Sequence, residues 1–145
     1  MNPATKPAEG EGPEDASGGP SKSKRGVGRT ILLADDEEAL RRSVGKILEA
    51  SGYRVIAAKD GLEAIAAWRD HKAARDVALL DAVMPHAGGI AAAIEIRNAA
   101  RHVPIVIMTG YAVEDIAAEG VTVLSKPFST EVLLATLDRV VAAER

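Results

Sequence analysis

Polar side chains stand where four short aliphatic runs stop. ILLA (31–34) ends in Asp35-Asp36, VALL (77–80) in Asp81, IVIM (105–108) in Thr109, and VTVL (121–124) is followed by Ser125-Lys126-Pro127. Three carboxylates gathered at one place repel one another unless a cation neutralises them, and oxygen ligands with few His and no Cys suit Mg²⁺ best. Mg²⁺ keeps several waters and completes its shell readily with a phosphate oxygen, which leaves one carboxylate able to act as a nucleophile toward phosphorus. Charge develops on phosphoryl oxygens during transfer, so a hydroxyl and an ammonium are suitable companions, and Thr109 and Lys126 supply them. Taken singly, each residue has an ordinary explanation: a strand-end Asp caps a helix, an Asp pair is solvated, and Lys-Pro makes a turn. The joint arrangement, with every group at the carboxyl end of a strand, is what points to chemistry.

The elements that must position these groups follow from hydrophobic periodicity. Strands are expected at Thr30–Ala34, Arg54–Ala58, Val77–Leu80, Ile105–Met108 and Val121–Leu124. Between them, Glu37–Ser51 predicts a helix with Leu40, Val44, Ile47 and Leu48 on one face and Gly52 ending it. Leu62–His71 predicts a second helix, capped by Asp60 and carrying Leu62, Ile65 and Trp68, after which Asp76 leads into the third strand. Gly88-Gly89 breaks the chain before a helix over Ile90–Ala100, a short helical segment is expected around Glu114–Ala118, and Ser129 opens a last helix with Val132, Leu133, Leu137, Val140 and Val141 as its apolar stripe. Strands separated by helices imply parallel pairing, and wholly apolar strands imply a sheet covered on both faces: a doubly wound α/β domain. In such sheets ligands bind beyond the carboxyl ends of the strands, where the strand order reverses.

Composition narrows the function classes. The 145 residues suffice for one domain with a core, and aromatics at 3% within a hydrophobic fraction of 47% mean that Ala, Val, Leu and Ile must fill it. A net charge of −3 offers no general basic field for nucleic acid. The absence of cysteine excludes disulfides, zinc-thiolate sites and thiol nucleophiles. No apolar run reaches the roughly 18 residues of a membrane span, and a cytoplasmic protein without membrane partner is expected. Residues 1–29 are rich in Pro, Gly, Ser and charge and read as a disordered tail or linker ahead of a domain over 30–145.

LLADDEEALRRSV, VALLDAVMPHAGG, IVIMTGYA and VLSKPFS together resemble the receiver domain of bacterial two-component response regulators, over about residues 30–145. The resemblance implies a five-stranded parallel sheet of (βα)5 flavodoxin-like topology. It implies that Asp81 is the phosphoacceptor, supplied by a sensor histidine kinase or a histidine phosphotransfer protein. Asp36 would ligate Mg²⁺ directly, Asp35 through water, Asp81 by its carboxylate and Val83 by its backbone carbonyl. Lys126 would pair with Asp81 before transfer and with the phosphoryl group afterwards, Thr109 would move inward to bond the new phosphate, and the Lys126–Pro127 peptide would be cis.

Several positions depart from the family pattern. Ala87-Gly88-Gly89 replaces the usual Asp or Asn ahead of the glycine, which predicts a more flexible loop. Val123 stands where Tyr or Phe is common, removing the ring that usually follows the hydroxyl inward. The short span from Thr109 to Lys126 predicts a shortened fourth helix, as in hybrid-kinase and some single-domain receivers, with Tyr111 at the mouth of the site. That span counts against output through the usual fourth-helix and fifth-strand surface. Arg41-Arg42 reads as a solvated helix face, and His71, His86 and His102 as surface residues. The expectation is a monomeric, Mg²⁺-dependent switch, not an enzyme beyond slow self-dephosphorylation, with no output domain after Arg145 and with output through a downstream protein or phosphate relay. A phosphorylation-independent pseudo-receiver is the alternative. An aspartyl-phosphate phosphatase is disfavoured because its general acid would fall at Val83.

Overall fold

The computed structural model describes residues 28–70, 76–86, 88–100, 102–110 and 121–143. Within them the order is β1 (Thr30–Ala34), α1 (Glu38–Ala50), β2 (Arg54–Ala58), α2 (Gly61–Asp70), β3 (Val77–Asp81), α3 (Gly89–Ala99), β4 (Ile105–Thr109), β5 (Val121–Ser125) and α4 (Thr130–Ala143). The five strands form one parallel sheet in the order β2-β1-β3-β4-β5. The expected doubly wound α/β architecture is present, with four helices among the described residues. The expected short helix around Glu114–Ala118, Tyr111, His71 and most of the tail lie outside them.

Strand alternation divides the core in two. Leu32 and Ala34 of β1, Ala78 and Leu80 of β3, and Ile105 and Ile107 of β4 meet Ala64 and Trp68 of α2 and Ala92, Ala93 and Ile96 of α3. On the other face, Ile31, Leu33, Val77, Leu79, Val106 and Met108 meet Val44 and Leu48 of α1 and Leu133, Leu137, Val140 and Val141 of α4. The three inner strands are buried along their whole length, whereas the edge strands β2 and β5 are only partly covered. The mixture of exposed and buried positions on β2 and β5 is what an edge requires.

The helix boundaries have local causes. Gly52 takes a positive φ of 98°, and the Gly52 and Tyr53 N–H groups donate to the Glu49 and Leu48 carbonyls, each at 3.0 Å, closing α1 in the manner that favours glycine. Asp60 caps α2 as expected, its Oδ1 accepting the Glu63 N–H at 2.8 Å while Glu63 Oε1 accepts the Lys59 N–H at 2.8 Å. Ser129 Oγ accepts the Val132 N–H at 3.1 Å and starts α4. Asp76 bonds the Thr30 N–H at 2.8 Å and so ties the entry of β3 to that of β1.

Two residues placed on buried faces by periodicity lie outside. Leu62 is 58% exposed and Val132 50% exposed. Both sit in the first turn of their helices; α2 buries Gly61, Ala64 and Trp68 instead, with Ile65 at the margin, and α4 buries Thr136, whose hydroxyl donates to the Val132 carbonyl at 2.8 Å.

Candidate functional site

β1 and β3 are neighbours although β2 separates them in the chain, so the strand order reverses between them. The crevice at such a switch point lies beyond the carboxyl ends of both strands. Asp35 and Asp36 follow β1 and Asp81 ends β3, and one carboxylate oxygen from each lies within 4.8 Å of the others. Asp35 is buried and Asp36 exposed.

Asp35 is held from several directions. Its N–H donates to the Ala58 carbonyl on β2 at 3.1 Å, its Oδ1 accepts the Glu37 N–H at 2.8 Å, and Lys126 Nζ lies 3.3 Å from its Oδ2. The same ammonium stands 3.3 Å from Asp81 Oδ1. Lys126 is therefore shared between two carboxylates, where the resemblance implied Asp81 alone. Its N–H donates to the Thr109 carbonyl at 2.7 Å, and Thr109, buried at the end of β4, is in register with Ser125 on β5. The Lys126–Pro127 peptide is cis, as the resemblance implied. Val123 sits on β5 opposite Ile107, half-buried.

Electrostatics favour a divalent cation. Two unit charges 4.8 Å apart repel by about 3.5 kcal/mol at an effective dielectric of about 20. Three carboxylates and one ammonium leave two net negative charges. Burial first, and the Asp35 charge second, raise the Asp81 carboxyl above its ordinary 3.8; Lys126 and a backbone hydrogen bond from Val83 oppose them without winning. Burial pulls the Lys126 ammonium down, but the Asp81 and Asp35 carboxylates together push it above its ordinary 10.5. An all-oxygen donor set with two unneutralised charges fits Mg²⁺. Asp35, Asp36 and Asp81 are the side chains that would hold it.

The glycine pair after the acid is a packing requirement. A Cβ on Gly89 would run into the Asp81 carbonyl, and one on Gly88 would come 2.9 Å from the Ala82 carbonyl oxygen. The Gly89 N–H donates to the Ala82 carbonyl at 3.1 Å, while the Ala82 N–H reaches across to Met108 at 2.8 Å. The start of α3 is thus pressed against the strand end that carries Asp81. Ala87 lies outside the described residues.

Arg41 and Arg42 do not form one solvated face. Arg41 is half-buried and its Nη1 donates to the Asp35 carbonyl at 2.8 Å, whereas Arg42 is exposed and lies 3.8 Å from an equally exposed Glu38. Helical phase carried the signal: Arg41 is three residues before buried Val44 and seven before buried Leu48. His86 and His102 are exposed, as expected. His86 adopts φ +72°, an uncommon left-handed conformation for a residue with a side chain.

A doubly wound sheet with an acidic, lysine-bridged pocket at its switch point is thus the class that fold and site define. The sequence profile of the response regulator receiver domain matches residues 31–138, and the chain belongs to that family. It is 34% identical over 125 residues to the transcriptional regulatory protein PdtaR of Mycobacterium tuberculosis, a match covering 82% of this chain and 60% of PdtaR. A receiver domain crystal structure from Clostridium thermocellum superposes with a TM-score of 0.75 at 26% identity, covering 80% of this chain and 96% of that one. The receiver domain of the hybrid histidine kinase CckA does so with a TM-score of 0.69 at 28% identity, covering 77% and 98%. The chain spans about 60% of the length of PdtaR. Among the described residues no helix is long and apolar enough to cross a membrane.

Proposed function

We propose that this receiver domain is a two-component signalling switch that accepts a phosphoryl group on Asp81 from the phosphohistidine of a sensor kinase or a histidine phosphotransfer protein. The observation that carries the reading is the shared ammonium: Lys126 stands 3.3 Å from Asp35 and 3.3 Å from Asp81, inside a cluster of three carboxylates. An Asp81 oxygen attacks phosphorus, the phosphorus–nitrogen bond breaks, and its electron pair leaves with the imidazole. Lys126 donates to the phosphoryl oxygens as Asp81 gives up its charge, and the Thr109 hydroxyl on the neighbouring strand is the second donor. Mg²⁺, held by Asp35, Asp36, Asp81 and the Val83 carbonyl, would neutralise charge on the phosphoryl oxygens. Water later cleaves the aspartyl phosphate to Asp81 and inorganic phosphate, so the domain turns itself off slowly and is not an enzyme toward another substrate.

A phosphatase would need a general acid two residues after the nucleophile, and Val83 has an exposed apolar side chain there. The absence of a ring at Val123 is the one observation that favours a phosphorylation-independent interaction module. Output is proposed to run through a downstream protein or a further relay step, since the net charge of −3 offers nucleic acid no basic field.

The test is incubation with a small-molecule phosphodonor, with and without Mg²⁺, followed by intact mass. A Mg²⁺-dependent phosphoryl adduct absent from Asp81→Asn supports the proposal, because the amide is nearly isosteric and a poor nucleophile. Retained labelling of Asp81→Asn would move the acceptor elsewhere. Mg²⁺ binding with no adduct, from that donor or from phosphorylated kinases, would select the interaction module.

A further inference from the structure

We infer that Arg41 is a positioning residue for the cation pocket: it sets the peptide plane from which Asp35 and Asp36 both project. The inference rests on the reading of the three carboxylates as a Mg²⁺ site and extends it to a residue outside the carboxylate set.

The Asp35 carbonyl belongs to the peptide that joins Asp35 to Asp36. Arg41 Nη1 donates to that oxygen at 2.8 Å, and the Arg41 N–H donates to the Glu37 carbonyl at 2.9 Å. Side chain and backbone of one helical residue thus grip both ends of the turn between β1 and α1. The Asp35 side chain is already engaged by the Glu37 N–H and Lys126. Asp36 is different: it is exposed, and no hydrogen bond or ion pair orients its carboxylate among those described. Its direction is therefore set by the backbone beneath it, and the arginine controls that backbone. A charge-assisted bond to a carbonyl is among the stronger neutral-partner hydrogen bonds.

Charge alone would give the opposite effect. A guanidinium near the pocket repels a cation, so removing it should tighten Mg²⁺ binding if only Coulomb energy mattered. Arg42 provides the control, since it carries the same charge one residue along and makes only an exposed 3.8 Å pair with Glu38.

The experiment is a Mg²⁺ titration of the ¹⁵N-labelled full chain, following the Asp36 and Glu37 amide resonances, with thermal melting of each variant measured separately without Mg²⁺. Arg41→Met should raise the Mg²⁺ dissociation constant about tenfold, as loss of an outer-shell partner does. Arg41→Lys keeps a charge and a donor and should recover binding to within roughly threefold of the wild type. Arg42→Met should leave the constant unchanged or slightly tighter. A merely stabilising role would lower the melting temperature of Arg41→Met and leave the dissociation constant of the folded protein where it was. Equal affinity in Arg41→Met and Arg42→Met overturns the inference. Should Arg41→Met not fold, Arg41→Gln, two bonds shorter than arginine, carries the same expectation against the same control. A wild-type chain that shows no Mg²⁺-dependent shifts at all would sink the cation-site reading itself, an outcome distinct from failure of Arg41 alone.

Discussion

Replacing Gly89 by alanine tests the link between packing and the proposed chemistry with one methyl group. The added Cβ would run into the Asp81 carbonyl and come 3.2 Å from the Ala82 Cα. These are backbone atoms, so no side chain can swing aside. The end of β3 and the start of α3 must part by about 1 Å to reach ordinary van der Waals separation. Overpacking of this kind costs about 1–3 kcal/mol, and in a domain of this size each kcal/mol is worth about 3–6 °C. A fall in melting temperature of about 3–18 °C is expected. The same displacement moves the proposed nucleophile, and a 1 Å misplacement costs about a hundredfold in rate. Melting and phosphoryl-adduct formation, measured on one preparation, separate the two effects. An unchanged melting temperature together with an unchanged adduct rate would refute the close approach. A lowered melting temperature with wild-type rate would place the strain in α3 and leave Asp81 undisturbed.

Two further outcomes follow from the same geometry. Gly45 lies in the interior of α1 with only the Leu33 Cδ2 atom 3.9 Å from where a Cβ would stand, so Gly45→Ala should stabilise the domain by about 0.8–1.0 kcal/mol, read as a higher urea midpoint; a lower midpoint would contradict the open packing. Burial and Asp35 raise the Asp81 pKa above its unfolded value of 3.8, so the stability linked to this group is full below 3.8 and is lost as pH rises through the raised value. Asp81→Asn, without divalent cation, should therefore melt higher than the wild type at neutral pH, with the difference closing as the pH falls toward 3.8, and a pH-independent gap would contradict that assignment.

Most of the scaffold was readable from local pattern. The five strands and four of the helices follow from aliphatic runs and from polar residues able to accept N–H bonds at helix starts, as Asp60 and Ser129 do. Periodicity overstated burial at Leu62 and Val132, because a first-turn residue on an apolar stripe need not reach the sheet. It understated Arg41, whose phase with Val44 and Leu48 was hidden by its charge and by its exposed neighbour Arg42. The glycine pair was legible as a helix breaker only. Its contact with the end of β3 depends on how closely α3 approaches that strand.

Residue type and position at the ends of apolar runs were determined by the sequence itself: an acid pair after β1, an acid closing β3, a hydroxyl on β4 and a lysine after β5. What only the tertiary structure decided was adjacency. Strand periodicity has a reach of a few residues, whereas the order β2-β1-β3-β4-β5 emerges from burying both faces of the whole sheet at once. That order sets Asp35 and Asp36 beside Asp81 and brings Lys126, 91 residues along the chain, to the Asp35 carboxylate. Local pattern supplied the groups, and the long-range packing of β1 against β3 made them one site.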